Sequence, residues 1–380
     1  MAHPPGYPLP DRSRGRQLAK RSSVKNYSRF LYFCQLSHMP KSERPRAPLA
    51  QDPTLELTLR PEVFEEYVGQ KQAKENLLIA IQAARLREGT LDHILLHGPA
   101  GIGKTTLAHL IAKHMTATMR VTSGPAIERV GDLASILTNL EPGEVLFIDE
   151  AHRLPRMVEE VLYPAMEART LDIILGKGTA ARTLQLNLPP FTLIAATTRV
   201  GLLSSPLRSR FGQAFRLDFY TDDEIEEILG RSARLLGVSL DAQAKKRIAK
   251  AARQTPRIAN RLLKRARDVA QVEGGTKSPN IDDVTTERTL SMLEIDEKGL
   301  DKLDREYLRI LIEKFKGGPA GIQALAASLS EEEDTLLDFV EPYLMQIGYV
   351  LRTPRGRVAA AEAWEHLGLK PPDNRNTKLF

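Results

Sequence analysis

Lys104 and Thr105 close the run Gly98-Pro99-Ala100-Gly101-Ile102-Gly103-Lys104-Thr105, which fits G-x-x-x-x-G-K-[ST] without a mismatch. An ammonium and a hydroxyl behind three glycines are the parts of a phosphate cradle. The glycines let backbone amides curl around a polyphosphate, Lys104 reaches its terminal phosphates, and Thr105 holds Mg²⁺. Asp149 and Glu150 lie 45 residues beyond this loop's lysine and threonine, at the end of the apolar run Val145-Leu146-Phe147-Ile148. At that spacing one carboxylate completes the Mg²⁺ shell and the other orients or deprotonates the attacking water. Thr197 and Thr198 end a third apolar run, Phe191 to Ala196, where a hydroxyl can sense a γ-phosphate. Arg210, in Arg208-Ser209-Arg210-Phe211-Gly212, is either surface charge or a cation aimed at a phosphate across a subunit boundary. Arg257 follows Pro256 at a helix start, where the helix dipole disfavours a cation; that placement points to another anion.

These groups need a scaffold, and the sequence outlines one. His93 to Leu96 reads as a short buried strand before the loop, and Thr105 to Met115 as a helix after it, with Leu107, Leu110 and Ile111 on one face. A helix over Gln70 to Arg87 precedes them, with a stripe at Leu77, Leu78, Ile81 and Ala84. A strand near 119–122 and helices near 131–140 and 156–168 fill the space around the acidic pair. Leu171 to Leu175 and Thr183 to Leu188 flank the turn residues Gly176-Lys177-Gly178-Thr179 as a hairpin. Its Leu184, Leu186 and Leu188 share a face, which suits either an addition packed on the core or an exposed apolar edge for a partner. From Thr221, a helix cap followed by Asp222-Asp223-Glu224, the chain turns helical over 221–236, 241–252, 256–272 and 281–293. Helices over 304–315, 321–329 and 331–347 then lead to a basic turn, Arg352-Thr353-Pro354-Arg355-Gly356-Arg357, between two short strands. Three helices and a basic hairpin describe a winged helix, whose arginines suit phosphate contacts; winged helices also bind protein.

The totals bound the rest. A chain of 380 residues spans two or three domains, and 42% hydrophobic residues is enough for real cores. No apolar run has the length of a membrane span, and Phe30 to Leu36 is too short and polar for a secretory signal. The single cysteine, Cys34, excludes internal disulfides and cysteine-ligated zinc within one chain. The net charge of +6 is unevenly placed. Residues 1–50 hold ten Lys/Arg and two acids, which makes that segment +8 and leaves −2 for the remainder. Any grip on nucleic acid by the body must therefore come from local patches. The Pro-, Arg- and Ser-rich segment 1–52 reads as a disordered extension, either a basic arm or a lead upstream of a start at Met39.

The order of these motifs resembles the AAA+ ATPases, and their wording is closer still. Leu-Arg-Pro at 59–61, Glu-Tyr-Val-Gly-Gln at 66–70, Ile-Asp-Glu-Ala-His-Arg-Leu at 148–154 and Tyr-Pro-Ala-Met at 163–166 are similar to the RuvB family, the bacterial motors of Holliday-junction branch migration. So are Ala-Thr-Thr-Arg at 196–199, Pro-Leu-Arg-Ser-Arg-Phe-Gly at 206–212, Thr-Pro-Arg-Ile-Ala at 255–259 and Arg-Thr-Pro-Arg-Gly-Arg at 352–357. The resemblance spans about residues 53–372. It implies an α/β AAA+ P-loop domain (53–220), a small helical lid domain (221–295) and a C-terminal winged-helix domain (296–372), with a flexible tail at 373–380. It implies a cytoplasmic, homohexameric ATP- and Mg²⁺-dependent translocase on duplex DNA that works with RuvA and RuvC. Leu59 and Arg60 would border the nucleotide's base and sugar. Gly98, Gly101, Gly103, Lys104, Thr105 and Thr106 would bind phosphates and Mg²⁺, and Tyr220 would sit near the nucleotide. Thr197 or Thr198 would be the first sensor, Arg257 the second, and Arg210 the finger given to the neighbouring subunit. The hairpin 171–188 would dock RuvA, and Arg352 and Arg357 would touch DNA with Arg355 nearby.

Three positions depart from the family's pattern: Ala100 for a second proline, Glu167-Ala168-Arg169 where an acidic-aromatic segment approaches the neighbour's nucleotide, and Glu333 where some relatives carry arginine. Two other readings compete. Asp149-Glu150-Ala151-His152 spells the DEAH of another helicase class, but no second RecA-like domain follows. A clamp-loader-like or regulatory AAA+ switch would share the ATP site and lack a use for the basic wing.

Overall fold

The computed structural model describes residues 58–175, 182–276 and 278–371. Contacts divide the chain into two units, 1–56 and 57–380, and all the described residues lie in the second. The extension 1–52, the hairpin tip at 176–181 and the tail 373–380 fall outside the described residues.

Five parallel strands form the central sheet: β1 (Ile94–His97), β2 (Met119–Ser123), β3 (Val145–Asp149), β6 (Thr192–Thr197) and β7 (Gln213–Arg216), in the order β2-β3-β6-β1-β7. The three inner strands are the apolar runs of the sequence, because a parallel strand is covered on both faces. β6 is buried at all six positions. The edge strand β7 has no apolar run, only Gln-Ala-Phe-Arg with alternating exposure, and is not apparent from the sequence. Parallel pairing brings all the C-terminal strand ends to one edge, and His97, Asp149 and Thr197 stand there together.

Helices cover both faces. α1 (Lys71–Leu86) buries Ala73, Leu77, Ile81 and Ala84 along one stripe, and α2 (Lys104–His114) leaves the glycine loop. α3 (Val130–Thr138) and α4 (Arg156–Glu167) pack on the opposite face, around Leu146, Ile148, Leu162 and Phe191. Among the described residues, strands β4 (Thr170–Leu175) and β5 (Arg182–Asn187) pair only with each other. Leu171 and Leu188 root that hairpin in the core, Leu186 is half-buried, and Leu184 is exposed. The hairpin is thus a separate ribbon and adds nothing to the main sheet.

Four helices follow: α5 (Asp222–Leu236), α6 (Ala242–Ala251), α7 (Pro256–Gly274) and α8 (Asp283–Met292). Thr221 caps α5 in a reciprocal box with Glu224, and Gly237 closes it in the left-handed conformation. Their apolar faces continue the core of the α1–α2 side without a break, from Leu77 and Leu107 through Ile225 to Leu263.

A third core, around Tyr307, Leu311, Leu336 and Leu344, belongs to the C-terminal residues. It gathers α9 (Lys302–Arg309), α10 (Ile322–Leu329), α11 (Glu341–Gln346) and α12 (Ala361–His366) with the antiparallel pair β8 (Val350–Thr353) and β9 (Gly356–Ala359). The helix expected over 331–347 is interrupted: a wider π turn at Leu336–Val340 separates Glu333–Thr335 from α11. Pro342 follows in the first turn of α11, where its missing amide proton is tolerated.

Candidate nucleotide site

The glycine loop owes its shape to positions no other residue fits. Gly98 has φ +146°, and a Cβ there would stand 2.3 Å from the Leu217 carbonyl oxygen. Gly101 has φ +79°, and its Cβ would press on Arg257 at 3.2 Å. Lys104 is buried, and its Nζ donates to the carbonyls of Gly98 (2.8 Å) and Pro99 (2.7 Å). Burial pushes the Lys104 pKa down to about 8, against the pull of Asp149 and Glu150. Thr105 Oγ1 donates to Asp149 Oδ2 at 3.0 Å, so the two residues expected at the metal already touch. Among the described residues no cluster of three or more His, Cys, Asp or Glu forms a ready-made cage. A hydroxyl and one carboxylate suit Mg²⁺, which takes few protein oxygens and fills its shell with phosphates and water. Thr106 is half-buried one position further along α2.

Glu150 adopts a left-handed conformation, φ 51°, unusual for a side-chain-bearing residue and a strain the packing must hold. Gly124 allows the approach: a Cβ there would meet the Glu150 carbonyl oxygen at 2.4 Å. Beside it is His152, whose imidazole is only 3% exposed. Its Nε2 stands 3.5 Å from Glu150 Oε2, and its Nδ1 is 3.0 Å from Thr197 Oγ1. Burial lowers the His152 pKa, which favours neutral imidazole. The carboxylate facing Nε2 favours the tautomer protonated there, in which Nδ1 accepts from Thr197. Thr197 is fully buried at the tip of β6, and Thr198 turns away to Asp338, 3.4 Å distant. His152 is the site residue that motif reading missed, although the Asp-Glu-Ala-His spelling contained it.

The helical side closes over the loop. Tyr220 is buried, its hydroxyl donates to the Ile102 carbonyl at 3.2 Å, and burial pushes its pKa up to about 12. The Arg257 amide faces the Gly101 carbonyl at 3.4 Å, which brings α7's first turn to the loop. Leu59 is buried and Arg60 half-buried. Their carbonyls accept from the Arg231 guanidinium at 2.8 and 3.2 Å, and that guanidinium also pairs with Glu66 at 2.6 Å. The Tyr67 hydroxyl is 3.5 Å from the Gly103 carbonyl; Arg231 carries no sequence signal, because its partners are far along the chain.

Arg210 belongs to a second group. Its guanidinium lies over the Tyr163 ring at 4.7 Å, pairs with Glu167 at 3.2 Å and donates to the Pro206 carbonyl at 2.7 Å. Glu167, Ala168 and Arg169 are exposed beside it. Among the described residues no hydrogen bond or ion pair joins Arg210 to the glycine loop.

Family models assign the whole arrangement. That for the P-loop domain of the Holliday junction DNA helicase RuvB matches residues 59–217, that for the RuvB AAA lid domain 220–296, and that for the RuvB C-terminal winged helix domain 297–368. The solved Thermotoga maritima RuvB Holliday junction branch migration motor is 48% identical, with a TM-score of 0.76, over 83% of this chain and 100% of that one. A mutant of the same protein is 49% identical, with a TM-score of 0.77, over 83% and 99%. The chain belongs to the RuvB family. It is a RuvB P-loop ATPase and Holliday junction branch migration motor. Among the described residues no helix is long and apolar enough to cross a membrane.

The RuvB winged helix carries its three arginines unequally. Arg352 and Arg355 are exposed. Arg357, expected at the DNA together with Arg352, is buried, and its guanidinium is bidentate on Glu341 at 2.8 and 3.1 Å. Tyr307 donates to the same carboxylate at 2.9 Å. Arg357 therefore braces the wing from inside, and the exposed basic surface consists of Arg352 and Arg355. The sequence places three arginines in one turn; Glu341, on a different helix, decides which one is withdrawn.

Proposed function

We propose that six copies of the chain form a ring that hydrolyses ATP and pumps duplex DNA through a Holliday junction, with RuvA docked on the hairpin 171–188 and RuvC as a further partner. The working site lies in the cytoplasm, where chromosome and ATP are available. The moving parts are residues 53–220, 221–295 and 296–372. ATP draws the second onto the first through Tyr220 and Arg257, and release lets them part. Lys104 exchanges the carbonyls of Gly98 and Pro99 for phosphate oxygens. Thr105 and Asp149 would hold Mg²⁺, which would supply charge screening at the phosphates. Glu150 takes a proton from water as its oxygen attacks the γ-phosphorus and the bond to ADP breaks. Thr197 and Thr198 sit at the strand tip that senses the phosphate. Arg210, with Glu167 to Arg169 beside it, meets the neighbouring subunit's nucleotide and neutralises charge in the transition state. Arg352 and Arg355 hold the DNA backbone without reading sequence.

The observation that carries this reading is the division of the chemistry. The glycine loop, Thr105, Asp149, Glu150 and Thr197 come together within one chain, while Arg210 is held apart on its own Glu167 and Tyr163. Lys104→Ala and Arg210→Ala should each abolish ATP turnover. A mixture should regain part of it, because some interfaces then join an intact Lys104 to an intact Arg210. A mixture as inactive as its components would contradict catalysis shared between subunits.

A further inference from the structure

The tip of β6 carries a second set of contacts, which lead away from the nucleotide site. Arg199 grips Asp338 with two nitrogens, Nε to Oδ1 and Nη2 to Oδ2, each at 2.7 Å. Its Nη1 reaches Asp334 Oδ1, also at 2.7 Å. Thr198 donates to Asp338 from beside it, and Arg153, three residues past Glu150, approaches Asp334 at 3.5 Å. Asp338 lies in the π turn of the winged-helix region, and its side chain is 9% exposed. In the other direction, the Arg199 amide donates to Thr197 Oγ1 at 3.0 Å. Thr197 contacts His152, and His152 faces Glu150. A continuous run of polar contacts thus joins the catalytic base to the winged helix.

We propose that Arg199 is a positioning residue for ATP hydrolysis, held by Asp338 and Asp334 so that movement of the winged helix on DNA shifts the β6 tip and, through Thr197 and His152, sets Glu150. This rests on the reading of the P-loop site as a DNA-dependent ATPase. The chemistry of the pair suits the task. A bidentate guanidinium–carboxylate bond is directional, so a small rotation of the π turn loses two charge-assisted bonds together. A half-buried pair also resists salt screening better than exposed ones. Coupling of this kind is reciprocal for binding, so bound nucleotide must also change the affinity for DNA.

The test uses the full-length protein, with steady-state ATPase measured with and without duplex DNA. Asp338→Asn keeps the side-chain shape and removes the charge. We expect its KM for ATP and its DNA-free kcat to stay near wild type, while DNA stimulation of kcat falls about fivefold or more. Asp334→Asn, at a half-exposed position that folding tolerates, should weaken stimulation in the same direction, and serves alone if Asp338→Asn does not fold. Arg199→Glu with Asp338→Arg should regain stimulation that each single change lacks. Full stimulation in the asparagine variants would overturn the proposal. So would an equal loss of DNA-free and DNA-stimulated rates, the pattern of a merely structural pair. A wild-type protein that DNA does not stimulate would instead contradict the parent reading.

Discussion

Lys104 must carry a charge in a place where burial disfavours one. Its pKa is pushed down to about 8, and only two carbonyls and the more distant acids compensate. A bound triphosphate favours the ammonium and raises that pKa. The sign follows: the complex holds more protons than the free protein from about pH 8 up to the bound-state pKa. Binding is therefore strongest below that window and weakens as pH rises through it. Calorimetry near pH 8 in two buffers of different ionisation enthalpy should register proton uptake on ATP binding. Lys104→Arg should remove the uptake, since guanidinium stays charged throughout. Uptake that is absent in wild type, or equal in the variant, would place the proton elsewhere. Lys104, Thr105 and Asp149 were legible in the sequence because strand, loop and helix order alone bring such residues together. His152 was not, because its importance comes from a buried hydroxyl 45 residues away, on another strand.

The wing separates two kinds of arginine within one hairpin. Arg357 neutralises Glu341 in a buried setting, so Arg357→Ala leaves an unpaired carboxylate and should cost about 3–5 kcal/mol of stability in the C-terminal core. Thermal denaturation checks this as a lowered Tm. Arg352→Ala and Arg355→Ala, at exposed positions, should leave Tm almost unchanged and weaken DNA binding. Each should reduce the slope of log K against log salt by about 1. Unchanged salt slopes would remove these side chains from the DNA surface. Elements differ in the same way in how far a sequence discloses them. The apolar runs that became β1, β3 and β6 could hardly be anything but buried strands, and the Thr221 box announced α5. β7 is too short and mixed to show, and a hydrophobic pattern passes over the break at Leu336–Val340.

Across the molecule, the core runs unbroken from the sheet into the helices after Tyr220, and the C-terminal core stands apart. Hydrogen-bonded charges tie that third core to the rest: Arg199 to Asp338, and Arg253 to Asp304 at 2.9 Å. The architecture suits a motor in which nucleotide acts on one pair of layers and DNA on the third. Domain order was readable because each part has its own motif. These ties were not, because charged residues more than 130 positions apart in the Arg199 pair leave no local pattern. The net charge of the described body is slight, so its hold on DNA should depend on few contacts. The most direct test is strand separation of a synthetic four-way junction by the full-length protein with ATP and Mg²⁺, in the presence and absence of RuvA. The account predicts ATP-dependent dissociation into duplex arms, strongest with RuvA and absent in Lys104→Ala. Intact ATPase activity with no dissociation under either condition would contradict it.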